Sequence, residues 1–464
     1  MKRLLLILLT LTPGSTLADE HWFDVLKASG DDRMLYRVLH AMPKGGDLHN
    51  HNTGSVLPRD WLRIARAQRE RGYRYYTKTK INNCRDYARA DNTYLLLFRN
   101  ISQRQYYALD ECERSEFTAF DALSPVEEQG WLNSLKLDNE SEGREEFFQK
   151  HWQRMGALTE NPYLRAEILF QNMKDLGDDG AIYLETQAAV GGARRPDGSA
   201  FTMDEVANIY RERLRQPDAA ETGVTVRLQL MVLRFAPNAE DNLRELYEFA
   251  LRNRDLYVAI NMAGREDNDK GHPRRFLETY REMRHKGALP LSIHAGEVDE
   301  PNDHIQDTLL LGASRIGHGI NLITDDELMV DLRYGPYLIE INLISNLLLE
   351  YVVDYSQHPF PEFLRTGIPV ALSTDDRGMW DSTLTDEFFV GVKEFNLSWE
   401  EIKAMGRNSL QYSFVEPAVK ARLLERFEQR MQAFERRMQR GGLANNDDFP
   451  DTRNFICARY NICD

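Results

Sequence analysis

Short apolar runs alternate with longer amphipathic ones from about residue 41 onward. The short runs are Asp47–His51, Ala181–Gln187, Val226–Phe235, Val258–Gly264, Leu291–Glu297, Arg315–Ile320, Tyr337–Asn342 and Pro369–Asp376. They are nearly continuous in apolar residues, as strands covered on both faces must be. Helix-like segments such as Asp241–Asn253 and Pro273–Lys286 lie between them. Strand-helix alternation at this spacing predicts a parallel sheet. Eight such runs suggest an α/β fold closed as a (β/α)8 TIM barrel; an open doubly wound sheet shares the same periodicity. The interval 57–180 is far longer than one crossover needs. Residues 70–145 within it read as a subdomain inserted after the first strand.

The ends read differently. Lys2 and Arg3 precede the apolar stretch Leu4 to Leu11, and Thr16-Leu17-Ala18 follows it. This pattern predicts a signal peptide over 1–18, and a secreted or periplasmic protein. No later stretch is long and apolar enough to predict a membrane span. Pro417 opens a charged amphipathic helix to about Arg440, and Gly441-Gly442 stops it. The main domain is therefore expected over 19–440, with a tail over 441–464.

Composition narrows the partners. The chain is 42% hydrophobic and 28% charged, an ordinary globular balance, but its formal net charge is -15. An acidic surface repels polynucleotides and anionic membranes. Cys84, Cys112, Cys457 and Cys463 form no CxxC pair, which argues against a thiolate metal site. In an exported chain they permit two disulfides, and nearness in sequence favours Cys84 with Cys112 and Cys457 with Cys463.

The chemistry gathers at run ends. His49-Asn50-His51 ends the first run, and side chains two apart share a strand face. His294 ends the fifth run, His318 the sixth and Asp375-Asp376 the eighth. Each alone is weak, since a strand-end histidine is commonly structural. In a barrel, however, the C-terminal strand ends meet at one mouth. Three imidazoles and a carboxylate suit zinc better than magnesium or calcium. Such a cation lowers the pKa of a bound water toward neutrality. His318 could orient or deprotonate that water, Glu297 could protonate the group under attack, and Asp376 could hold the substrate.

Met42-Pro43-Lys44 leading to His49-Asn50-His51, then His294-Ala295-Gly296-Glu297, Arg315-Ile316-Gly317-His318-Gly319 and Ser373-Thr374-Asp375-Asp376, resemble the adenosine deaminase family in order and spacing. Ser345-Asn346, His358-Pro359 and Asn408-Ser409 also look familial. Export, the long insertion and Gly264-Arg265-Glu266-Asp267 most resemble its secreted, growth-factor-related branch. The resemblance implies one zinc per chain, held by His49, His51, His294 and Asp375. It implies that Glu297 protonates N1 of a purine, that His318 acts on the attacking water, that Asp376 meets N7 and that the Gly264 N–H meets N3. The expected reaction is deamination of adenosine or 2′-deoxyadenosine to inosine or deoxyinosine, with release of ammonia. Alternatives are another 6-aminopurine nucleoside or nucleotide, or a secreted binding protein on a deaminase scaffold. A homodimer is compatible with the sequence.

Two positions depart from the family. Asn52-Thr53 stands where an Asp commonly follows the HxH pair and holds a ribose hydroxyl. Asn52 can still hydrogen-bond there, without charge. Arg377 stands where Pro often follows Asp376. A cation at the rim would suit an acidic substrate; otherwise Arg377 points to solvent or pairs with a surface carboxylate.

Overall fold

The computed structural model describes residues 21–84, 95–137, 139, 142–268, 270–298, 300–443, 450 and 454–463. The expected signal peptide lies outside them. In chain order the strands are β1 (Gly45–Asp47), β2 (Tyr75–Lys78), β3 (Asn100–Ser102), β4 (Phe117–Ala119), β5 (Ala181–Gln187), β6 (Thr225–Leu233), β7 (Tyr257–Ala263), β8 (Leu291–Ala295), β9 (Arg315–His318), β10 (Leu338–Ile341) and β11 (Val370–Leu372).

Eight of these form one parallel sheet in the order β1-β5-β6-β7-β8-β9-β10-β11. Every residue of β5, β7, β8, β9 and β10 is buried, which explains their unbroken apolar character. The sheet then curls shut. Asp375, just past β11, donates its N–H to His49 O at 2.9 Å, and His51 N–H donates to Asp375 O at 3.2 Å. The closure of a (β/α)8 barrel thus runs through three of the residues singled out for their chemistry.

The connecting helices follow the predicted pattern with one difference. Asp241–Asn253 is realised as Ala239–Arg252, but Pro273–Lys286 splits into a tight turn, Pro273–Phe276, and a helix, Leu277–Arg284. The Arg275 side chain reaches back to the Ala236 carbonyl and the Glu240 carboxylate, which ties the first turn to the preceding loop. The C-terminal helix spans Pro417–Gly441 and ends where Gly442 takes φ +74°.

Between β1 and β5, the antiparallel trio β3-β2-β4 forms a separate small sheet. A buried Lys78–Glu116 pair at 2.6 Å and a Cys84–Cys112 disulfide stand beside it. At the other end, Cys457 pairs with Cys463, and Phe455 and Ile456 of the helix Asn454–Tyr460 are buried. The disulfide pairing by nearness is therefore the one present. Among the described residues, no helix is long and apolar enough to cross a membrane.

Candidate active site

His49 lies two residues beyond β1, so the strand ends earlier than the apolar run that announces it. The His49 ring is buried. Its Nδ1 is 2.8 Å from Glu340 Oε2, and its Nε2 is 3.0 Å from His294 Nε2. His294 in turn has Nδ1 3.0 Å from Asn261 Oδ1. The proton positions follow. Glu340 is a carboxylate acceptor, so His49 carries its hydrogen on Nδ1. Glu185 Oε1 accepts from Gln229 Nε2, which leaves Gln229 Oε1 to accept from Asn261 Nδ2 and Asn261 Oδ1 to accept from His294 Nδ1. Two lone pairs therefore face each other across 3.0 Å. That arrangement is repulsive without a cation between them.

Asp375 and His51 complete the cluster. One ligand-type atom from each of His49, His51, His294 and Asp375 lies within 4.8 Å of all the others. Asp375 has φ +54°, a conformation uncommon outside glycine and frequent at functional sites. Its Oδ2 accepts from Ser345 Oγ at 2.6 Å, while Oδ1 is buried without a hydrogen-bond partner. His51 Nε2 is likewise buried and unpartnered. Burial opposes the Asp375 charge, but the His51, His49 and His318 rings outweigh it and hold its carboxyl low. Burial also opposes a proton on His51, yet Asp376, 2.9 Å from Nδ1, lifts this imidazole to about 9. The cluster draws in positive charge. With the His49 and His294 lone pairs turned inward, the Asp375 carboxylate beside them and hydrogen bonds behind the rings, this donor set fits a metal ion, which would take the place of a proton on His51 Nε2.

Beside it, His318 ends β9 with φ +66°. Its Nε2 is buried without a hydrogen-bond partner, 3.7 Å from Glu297 Oε1. Burial pushes the Glu297 carboxyl well above its ordinary range, with Asp375 and Glu266 adding to the shift. A carboxyl shifted this way keeps its proton to higher pH than an ordinary glutamate does. Its backbone is clamped: Gly296 N–H and Glu297 N–H each donate to Glu266 at 3.1 Å. Gly296 has φ +75°, and a Cβ there would lie 2.4 Å from Asn321 Oδ1, so glycine is required at that turn.

Residues 126–430 match the family model for adenosine deaminase, well over half of the chain. The chain belongs to the adenosine deaminase family. An adenosine deaminase of Plasmodium gallinaceum is 35% identical over 188 residues, covering 40% of this chain and 51% of that protein. The chain thus spans about half the length of that relative. An adenosine deaminase of Lutzomyia longipalpis is 23% identical over 449 residues, covering 91% of this chain and 83% of its own. Among solved structures, an adenine deaminase from Arthrobacter aurescens superposes with TM-score 0.62 at 19% identity, covering 84% of this chain and 99% of that one. His49 and His51 precede the 126–430 match, yet the fold brings them against His294 and Asp375.

In this adenosine deaminase family member the cluster opens into a cavity of about 420 Å³. Gly264 lines it with φ +110°, and a Cβ there would press on the Phe235 ring at 2.6 Å. Asn52 is buried; its Nδ2 donates to Arg165 O at 3.2 Å, while Oδ1 has no partner. Asp376 keeps Oδ1 unpartnered against Gly54. Of the two readings of Arg377, the structure shows pairing with a carboxylate rather than a cation at the rim. Arg377 is buried, donates to Asn172 Oδ1 at 3.0 Å and pairs with Asp175 at 3.2 Å. The chain turns into a short helix at Arg377–Trp380, and that turn carries the side chain away from the mouth.

Several residues have roles that the sequence did not disclose. Glu340, Asn261 and Ser345 hold the cluster from outside; Gln187 lines the cavity with both amide atoms unpartnered. Phe147, Phe148 and Trp152 form an aromatic wall, carried by an irregular π-type turn at Phe147–His151. The only signal for any of these was the family-like Ser345-Asn346 pair.

Proposed function

We propose that this protein is a zinc-dependent aminohydrolase that converts adenosine or 2′-deoxyadenosine to inosine or deoxyinosine, releasing ammonia. The observation that carries this reading is the facing pair His49 Nε2 and His294 Nε2, each ring with its other nitrogen already committed. His49, His51, His294 and Asp375 would hold the ion, three imidazoles and one carboxylate being a donor set that suits zinc. Bound there, zinc would supply Lewis acidity that makes water a competent nucleophile near neutral pH.

The chain's own groups account for the remaining proton movements. Glu297, held protonated by burial, gives its proton to purine N1. As a carboxylate it collects a proton from the water that bonds to C6. It passes that proton to the departing amine as the C6–N bond breaks, then collects the last from the new hydroxyl. One water enters, one ammonia leaves, and Glu297 ends protonated. His318 faces the attacking oxygen, the Gly264 N–H serves N3 and Asp376 serves N7. Asn52 Oδ1, both amide atoms of Gln187, and Arg165 Nε and Nη2 are unpartnered lining groups open to the sugar side. Glu160, Asp375 and Asp376 line the cavity with one guanidinium, Arg165, whose Nη1 serves the Ala189 and Gly191 carbonyls while its Nε and Nη2 are buried without partners. Two disulfides are compatible with export to an oxidising compartment.

The test is an ultraviolet deamination assay on adenosine, 2′-deoxyadenosine and AMP, with and without chelator. Turnover of the nucleosides, suppressed by chelation, is expected. Zinc-loaded protein that releases no ammonia from any of them would overturn the reading, and would leave the binding scaffold as its successor.

A further inference from the structure

A one-way chain of hydrogen bonds fixes the proton on His318. It begins at the backbone N–H of Phe360, a group that can only donate, which lies 3.1 Å from His358 Nδ1. That nitrogen must accept. Burial pushes the His358 imidazole down to about 3, so the ring is neutral and its single hydrogen sits on Nε2. His358 Nε2 is 3.1 Å from Asn346 Oδ1, which therefore accepts, and this settles which end of the amide is which. Asn346 Nδ2 then points at His318 Nδ1 from 2.9 Å, with Asn342 Nδ2 also donating from 3.3 Å. Both amides donate, so His318 Nδ1 is an acceptor. The hydrogen of a neutral His318 is left on Nε2, the atom that is buried without a partner and faces Glu297.

We infer that His318 serves the reaction as a hydrogen-bond donor to the attacking oxygen rather than as the base that deprotonates it, and that Asn346 and His358 are positioning residues that set this tautomer. The inference rests on the proposed deamination and chooses between the two roles open to His318 there. It moves no proton to the imidazole, since Glu297 carries each proton in turn. Neither Asn346 nor His358 touches the purine on this account. They act through the ring they orient, as partners behind an imidazole commonly do.

Nitrogen-15 NMR of histidine-labelled, zinc-loaded full-length protein reads the tautomer directly, with the His318 signals assigned by their loss in His318→Gln. A protonated, pyrrole-type Nε2 and an unprotonated Nδ1 are expected. Hydrogen on Nδ1 would overturn the inference, and this readout stands whether or not adenosine is turned over. Kinetics supply the second arm. Asn346→Asp replaces a donor to Nδ1 with a carboxylate that can only accept, which moves the hydrogen to Nδ1 and bares Nε2. Loss of the donor should lower kcat by about 100-fold or more, the scale of deleting one preorganised donor, with KM changed less than about threefold. Were His318 a base, the same change would build a carboxylate-imidazole pair, and kcat would hold or rise. That result would also sink the inference.

Discussion

The mouth of the barrel and the layer beneath it use the same residue types in opposite ways. Below the cluster, Arg315 Nη2 bonds Glu185 Oε1 at 2.7 Å and Arg315 Nε lies 2.6 Å from Glu340 Oε1. Glu185 also accepts from Gln229 Nε2, Tyr183 Oη and the Phe414 N–H. At the mouth, His51 Nε2, His318 Nε2, Asp375 Oδ1 and Asp376 Oδ1 are all buried without hydrogen-bond partners. Buried polar atoms are seldom left unpaired, because desolvation without a bond costs about 1–3 kcal/mol each. The charges of the floor are thus paired within the chain, although Arg315 Nε meets Glu340 off the hydrogen-bond axis, whereas the mouth gathers several polar atoms that something else must complete. The two are joined, since an unbroken path runs from His49 through Glu340, Arg315, Glu185, Gln229 and Asn261 to His294.

The contrast breaks most visibly at the mouth. His294→Ala removes a proposed ligand, so metal content by elemental analysis and turnover should fall together to background. Glu297→Gln removes only a proton donor. Turnover should drop by about 100- to 10,000-fold with metal content unchanged. If Glu297→Gln also stripped the metal, the division between ligand and proton donor drawn here would be wrong.

A cut in the floor should read out first as stability. Arg315→Met leaves Glu185 and Glu340 as buried carboxylates without their cation. Breaking a buried pair from one side costs about 3–5 kcal/mol. Denaturant unfolding of the metal-free protein should show a loss of that order. A loss under about 1 kcal/mol would mean that the floor is not held by charge pairing. The path to His49 adds a second readout, weaker metal retention against a competing chelator, because Glu340 would no longer be anchored.

The barrel was legible because strands buried on both faces leave an unbroken apolar signature, and the candidate ligands because they stand at strand ends, which the fold gathers at one mouth. Their supporting partners were not. Glu340 serves His49 from 291 positions away and Asn261 serves His294 from 33. Such pairings depend on how the sheet curls shut, a property no local pattern encodes. The aromatic wall was hidden for a related reason, since the turn at Phe147–His151 is irregular and gives no clean period. At Arg377 the sequence left two readings open, a rim cation or a carboxylate pair, and adjacency to Asp376 could not choose between them. One residue of chain turns its side chain from the rim to Asn172 and Asp175. Asn52, beside the HxH pair, lines the cavity with its Oδ1 unpartnered, the one feature at that position the sequence left room for.

Lys44, which precedes β1 at the foot of the barrel, sharpens the comparison through pH. It is fully buried, with Nζ donating to His40 O at 3.1 Å and to Asp179 O at 2.5 Å. Burial lowers its pKa from 10.5 to about 8, against the opposing pull of Asp179. Between pH 8 and 10.5 the folded chain holds this amine neutral while the unfolded chain still protonates it. The unfolded state binds more protons there, so this group's contribution to stability rises with pH across that window. Below pH 8 the cost of burying the charge is fully in place, about 3 kcal/mol for a shift of this size. Tyrosines titrate in the same range, so the quantity to measure is the difference in unfolding free energy between the native chain and Lys44→Met. That difference should move toward the native chain by up to about 3 kcal/mol from pH 8 to 10.5. A flat difference would mean that Lys44 keeps its proton, and that even the paired floor of this barrel tolerates a charge as readily as water does.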